Sequence, residues 1–201
     1  MKTSSGRGAA LLLVDFMNPL DFPGAAELAP RAVRAARQAA RLKERSRRAK
    51  VPCIYANDHF GHWDADFRQV IDGCLARGGA SRAIADALAP HADDYSVLKP
   101  RHSAFFGTPL EFLLDELHVD RLILAGLVTE SCVLFTAHDA YLRKYPLWVP
   151  ADCSASQTPR RHRGALEHMS DILKADVRSS STGIASAFAR NQAPHRVPRG
   201  L

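Results

Sequence analysis

The chain lacks any apolar run near the ~18 to 20 residues that a bilayer-crossing helix needs, so no membrane span is expected. Its opening residues, 1–8, are short and polar and carry no signal-peptide core. Cysteine is scarce. The four thiols, Cys53, Cys74, Cys132 and Cys153, show neither metal-ligand spacing nor a dense disulfide framework, and a reducing cytoplasm is the expected setting. No glycine-rich phosphate loop follows any strand-like run, which disfavours nucleotide binding, and there is no internal repeat. Acidic residues are missing from 178 onward and nearly missing from 31–50, where nine basic residues stand against one acid, Glu44. Aromatic residues are missing from that basic stretch too. It therefore lacks the stacking partners of a nucleic-acid surface and reads as a solvated, arginine-rich helix face.

What is present suits one domain with a sizeable core: 201 residues, 46% of them hydrophobic. The net charge of +6 sits mainly at the ends. Lys2 and Arg7 precede any acid, and Arg178, Arg190, Arg196 and Arg199 lie in the acid-free final segment, so 8–177 is close to neutral. The expected organisation is a domain over 1–178 and a basic, mobile tail over 179–201, where Ser, Gly, Pro and Arg dominate.

Short apolar runs predict strands at 9–15, 51–57, 95–98, 121–127 and 147–150, with a brief sixth at 176–177. Helical spacing lies between them: an Ala- and Arg-rich helix to about Arg48, others over 66–75 and 81–88, and one over 159–175. Thr108-Pro109-Leu110-Glu111 reads as a capping box opening a helix to about Leu117. Strands alternating with helices predict a three-layer α-β-α fold around a parallel sheet with right-handed crossovers.

Residues 122–141 concentrate the chemistry. The apolar run ends at Gly126, and after Thr129-Glu130 the spacing turns helical, placing Cys132 in the first turn of a helix at the carboxyl end of a strand. Unpaired amides and the positive helix end there favour thiolate over thiol and could hold an oxyanion. A buried, inert cysteine is the plain alternative. Asp15 ends the first strand and Lys99 the third, so all three groups fall on one edge of a parallel sheet. With strand order 3-2-1-4-5-6, the first and fourth strands are neighbours at the switch point, and Asp15 lies beside Cys132.

Three segments now carry a resemblance: Leu-Leu-Leu-Val-Asp15-Phe-Met-Asn, Lys99-Pro-Arg-His-Ser-Ala-Phe-Phe-Gly-Thr and Gly126-Leu-Val-Thr-Glu-Ser-Cys132-Val. In this order they closely resemble the isochorismatase-like cysteine hydrolases, over about residues 9–177. The resemblance implies a six-stranded parallel sheet in the order 3-2-1-4-5-6 and a catalytic triad of Asp15, Lys99 and Cys132. It also implies a cis peptide at Val128-Thr129. The chemistry that fits is acyl transfer: Asp15 takes the thiol proton, Lys99 stabilises charge, and the Thr129 and Cys132 amides hold the oxyanion while a thioester forms. A thiol favours cleavage of a small amide or ureido C–N bond. Vinyl-ether hydrolysis with an incidental Cys132 is one alternative, and a non-enzymatic α/β module is another.

Nicotinamidases of this family carry an Asp-x-His pair and a further His after the second strand, holding a metal. Here the stretch is Asp58-His59-Phe60-Gly61-His62-Trp63. Asp58 and His62 could reach one ion, but two loop ligands are a weak set, and no cofactor is expected. The 58–67 loop is expected to act as a pocket lid in which Phe60 and Trp63 supply apolar wall. Phe16 and Asn57 are further pocket candidates. The expected partners are a small-molecule substrate and other copies of the chain, as a dimer or tetramer. Neither a membrane nor a nucleic acid is expected.

Overall fold

The run Gly8–Val14 forms the central strand, β1, and from Ala9 onward it is buried on both faces, as a parallel strand covered by two helical layers must be. The computed structural model describes residues 8–61, 63, 64 and 66–183. In chain order the elements are β1, α1 (Ala25–Arg48), β2 (Cys53–Asp58), α2 (Phe67–Arg77), α3 (Gly79–Ala87), β3 (Tyr95–Lys99), α4 (Leu110–Glu116) and β4 (Val119–Leu127). After a π-helical turn at Thr129–Val133 come α5 (Leu134–Leu142), β5 (Leu147–Trp148), β6 (Ser154–Ala155) and α6 (Pro159–Asp171).

Side chains alternate across β1 and divide the core in two. Leu11 and Leu13 pack with Leu28, Ala32, Ala36 and Leu42 of α1. Leu12 and Val14 point the other way, toward Leu114, Ala137 and Met169 of α4, α5 and α6. The alanines of α1 have no bulk beyond Cβ, so the helix settles close to the sheet while its arginines stay outside.

All pairings are parallel, in the order β3-β2-β1-β4-β5. The expected sixth strand, at 176–177, does lie beside β5, and a further short strand shares the edge of β4. β6 pairs with β4 (Gly126↔Ser154, Leu127↔Ala155), beyond the point where β5 has already paired with Leu122 and Ile123. β5 is only two residues long, so after the 3-10 turn at Ala151–Cys153 the chain returns to the same edge of β4. The strand expected at 176–177 is a single bridge from Asp176 to Trp148.

Gly126 is required where β4 meets β1. A Cβ there would lie 2.2 Å from the Val14 carbonyl oxygen. Only glycine lets the two strands keep register (Val14↔Gly126) up to the edge where Asp15 follows. At the C-terminal side, Ser180–Thr182 forms a 3-10 turn, not loose tail. Ser180 gives its amide and hydroxyl to Asp152 (2.7 and 2.8 Å), and its carbonyl accepts from Arg45 (2.7 Å). The remainder of the expected tail, from 184, lies outside the described residues.

Candidate active site

Asp15 follows β1, Asp58 ends β2, Lys99 ends β3, and Cys132 follows β4. The parallel register (Asp58↔Lys99, Val14↔Ala56, Val14↔Gly126) brings all four to the carboxyl edge. Lys99 stands two strands from Asp15, and its stem carries the ammonium across the end of β2. The Lys99 Nζ lies 2.7 Å from Asp15 Oδ2, 3.8 Å from Asp58 Oδ2 and 3.7 Å from Cys132 Sγ. It also donates to the Arg101 carbonyl at 3.1 Å.

Asp15 is buried, and its second oxygen accepts the Asp58 amide at 2.7 Å. Its backbone sits at φ 51°, an uncommon conformation for a non-glycine residue. The Asp15 amide donates to Ala56, and two residues on Asn57 clamps Met17 through both its amide groups (3.1 and 2.8 Å). Those bonds hold the backbone around Asp15 in place.

Burial pushes the Asp15 carboxyl above the usual carboxylate range, although Lys99 and the Cys132 thiol draw it down. For Lys99, burial works against the ammonium, but Asp15 and Cys132 outweigh it and the net shift is upward. Burial and then the Asp15 carboxylate push the Cys132 thiol up to about 12, against the pull of Lys99. Desolvation and an adjacent anion thus act against the thiolate that the helix end was expected to favour. The Asp15 carboxylate beside the sulfur disfavours a second negative charge there, while the Lys99 ammonium favours it.

The turn carrying Cys132 is π-helical, a wider turn than the α-helical start expected. Its Ser131 and Val133 amides donate to the Val128 carbonyl. Thr129 is buried, with its hydroxyl 2.8 Å from His162 Nδ1. Burial holds His162 below its ordinary pKa, against the upward pull of the Ala151 backbone and Glu130. Glu130 accepts from the Ser156 hydroxyl and lies 3.8 Å from Arg161. These contacts anchor the turn to the segment after β6. The cis peptide is Leu127–Val128, one residue before the expected Val128–Thr129. β4 runs on to Leu127, so the backbone reverses directly at the strand end.

Of the pocket candidates, Phe16 (1% exposed) and Asn57 (0%) are buried structural residues with no surface to offer a substrate. Trp63 is 81% exposed and stacks loosely on His59, with ring centres 4.6 Å apart, so it does not wall an enclosed pocket. Phe60 borders a cavity of about 680 Å³ with Pro19, Asp21, His59, Gln69 and Cys74. None of Asp15, Lys99 and Cys132 lines that cavity, so its size alone does not make it the reaction site.

His102 escaped the sequence reading. Its Nδ1 lies 3.8 Å from Cys132 Sγ, and its ring packs against Phe135 at 5.3 Å. The loop bearing it is tied to α5 by Ser103 with Asp139 and by the Ala104 amide with Thr136 (3.0 Å). The available signal was its position three residues after Lys99, in a loop broken by Pro100.

Asp58 faces Lys99 and accepts the Phe60 amide at 2.6 Å. His59 Nδ1 accepts from Gly61, and its Nε2 is buried. His62 lies outside the described residues, among which no three His, Cys, Asp or Glu side chains are grouped to hold an ion.

An isochorismatase domain model matches residues 9–181. The chain belongs to the isochorismatase family. An uncharacterized isochorismatase family protein of Bacillus subtilis, YaaI, is 39% identical over 84% of this chain and 92% of its own length. A maleamate amidohydrolase of Pseudomonas putida is 32% identical over 80% of this chain and 78% of its own. Among solved structures, an N-carbamoylsarcosine amidase from Thermoplasma acidophilum superposes with a TM-score of 0.67 at 29% identity, covering 86% of this chain and 96% of that one. This family member is a hydrolase with the family's parallel three-layer fold.

Proposed function

We propose that the chain is a cysteine amidohydrolase that cleaves a small amide or ureido C–N bond through a thioester on Cys132. The observation that carries this reading is the buried Lys99 ammonium, 2.7 Å from Asp15 and 3.7 Å from the Cys132 sulfur. It can compensate negative charge on either group as a proton passes between them. The relatives named for maleamate and N-carbamoylsarcosine give the same bond class.

Asp15 accepts the thiol proton as Sγ attacks the carbonyl carbon, and Lys99 stabilises the sulfur until the C–S bond forms. The Thr129 and Cys132 amides hold the carbonyl oxygen as it becomes an oxyanion; Ser131 and Val133 have already given their amides to Val128. Collapse breaks the C–N bond, and the proton from Asp15 leaves with ammonia or the amine. Water then adds to the thioester with Asp15 as base, releasing the acid and returning the proton to sulfur. His102 stands at the open side of the thiol, where it would contact the leaving group or the substrate's distal end. No step requires a metal.

The test is ammonia release from a panel of small amides, ureido acids and N-carbamoyl amino acids, by wild type and Cys132→Ala. At least one compound should turn over in wild type and none in the variant. Equal turnover by both would remove Cys132 as nucleophile.

A further inference from the structure

α1 turns Arg34, Arg37 and Arg41 into a cleft of about 490 Å³ closed on the far side by Asp152, Ser156 and His162. The spacing of three and four puts these arginines on one side of the helix, and all three are exposed. Among the described residues, no carboxylate pairs with any of them. The nearby acids are already engaged: both oxygens of Asp152 take bonds from Ser180, and Glu130 behind Ser156 is held by Ser156 and Arg161. Arg31 fixes the end of the cleft by donating to the Gln157 carbonyl at 3.1 Å.

Three guanidinium groups without a paired carboxylate, within two helical turns, repel one another; the lining sets one carboxylate, Asp152, against them. Set around a concavity, they concentrate anions, and their planar forks match phosphate oxygens two at a time. The lining contains no Phe, Tyr or Trp, and its one aromatic ring, His162, is engaged by the Thr129 hydroxyl, so it offers bases little to stack on. We propose that this cleft is a binding site for a small, multiply charged anion of phosphate type, separate from the Asp15–Lys99–Cys132 site. It borders that site's scaffold through His162, which bonds Thr129 of the turn carrying Cys132.

Calorimetric titration of the full chain with inorganic pyrophosphate tests the proposal, run at low and at physiological salt. One saturable site per chain is expected, weakened by about tenfold or more in the triple variant R34Q/R37Q/R41Q. A control triple elsewhere on the surface, R47Q/R48Q/R68Q, removes the same charge and should leave affinity within about twofold, because it changes only the long-range field. Equal weakening in both triples would reduce the effect to net charge and overturn the site. So would the absence of saturable binding. An oligothymidylate that binds through the same three arginines, and that pyrophosphate fails to displace, would make this a nucleic-acid face and also overturn the proposal. Because every substituted residue is exposed and remote from the triad, circular dichroism and basal ammonia release should match wild type in both triples.

Discussion

Asp15 acts on Cys132 in two opposing ways, and the two can be separated. Its negative charge raises the thiol, whereas Lys99 lowers it. Asp15→Asn should therefore speed iodoacetamide labelling of Cys132, and Lys99→Met should slow it. Turnover should fall in both, on the order of 10³-fold, because the base is lost in one and the charge compensation in the other. Peptide mapping reads the first effect and ammonia release the second. Parallel losses of labelling and turnover in Asp15→Asn would mean that Asp15 generates a resting thiolate, contrary to this account. Cys53, Cys74 and Cys153 are buried, with their thiols raised chiefly by burial, and should label more slowly than Cys132. The pH profile follows from the same groups. Asp15 must be ionised to accept the proton, and burial raises its pKa, so kcat/KM should fall as pH drops through a value above the ordinary 3.8 of a free aspartate. Lys99, shifted upward from 10.5, should impose no alkaline limb below that value.

Strand ends position the triad, and Gly126 is the tightest point among them. Gly126→Ala would drive a methyl into the Val14 carbonyl, parting β1 from β4 one residue before Asp15. A stability loss of about 1–3 kcal/mol is expected, as for other overpacking changes. Turnover should fall more steeply than the folded fraction, since the shift falls on the residues that set the Asp15–Cys132 geometry. Denaturant midpoints and ammonia release measure the two. The central strands were legible because buried parallel strands are written as apolar runs, and the polar residue that ends each run marked Asp15 and Lys99. Local turn chemistry was less so. Thr108 does accept the Leu110 amide (3.2 Å), but Glu111 pairs with Arg143 (3.0 Å) and closes no capping box. The complete box is at Asp66 and Gln69, opening α2. Glu111 had a better partner in space than its own backbone, which spacing along the chain cannot reveal. The π-helical turn and the position of the cis bond were hidden for the same reason: the contacts of Thr129 with His162 and of Glu130 with Ser156 and Arg161 are tertiary.

At the scale of the whole molecule, three layers leave one helical face incompletely covered. Phe112, Phe135, Leu142 and Ile172 of α4, α5 and the end of α6 are all more than half exposed, more apolar surface than isolated residues need. The family resemblance implies association between copies of the chain, and the prediction is that these residues take part in it. Sedimentation velocity should show an oligomer at micromolar concentration that Phe112→Glu with Leu142→Glu converts to monomer; a monomeric wild type would contradict it. No described helix is long and apolar enough to cross a membrane. The topology was legible up to β5, because each buried strand is written as an apolar run. The sixth strand expected at 176–177 is present beside β5 as one bridge, whereas β6 was not foreseen, because two residues are too few for a pattern. The pocket was read least well. Phe16 and Asn57 looked available from their place at strand ends, but the fold spends them on packing and on the Met17 clamp.

The central claim, a thioester on Cys132, is tested most directly by acid-quenching the enzyme during turnover of whichever panel compound releases ammonia, then weighing the intact chain and mapping its peptides. An added mass equal to the acyl group, located on the peptide containing Cys132 and absent from Cys132→Ala, is the expected result. An adduct on another residue, or undiminished turnover in Cys132→Ala, would contradict it.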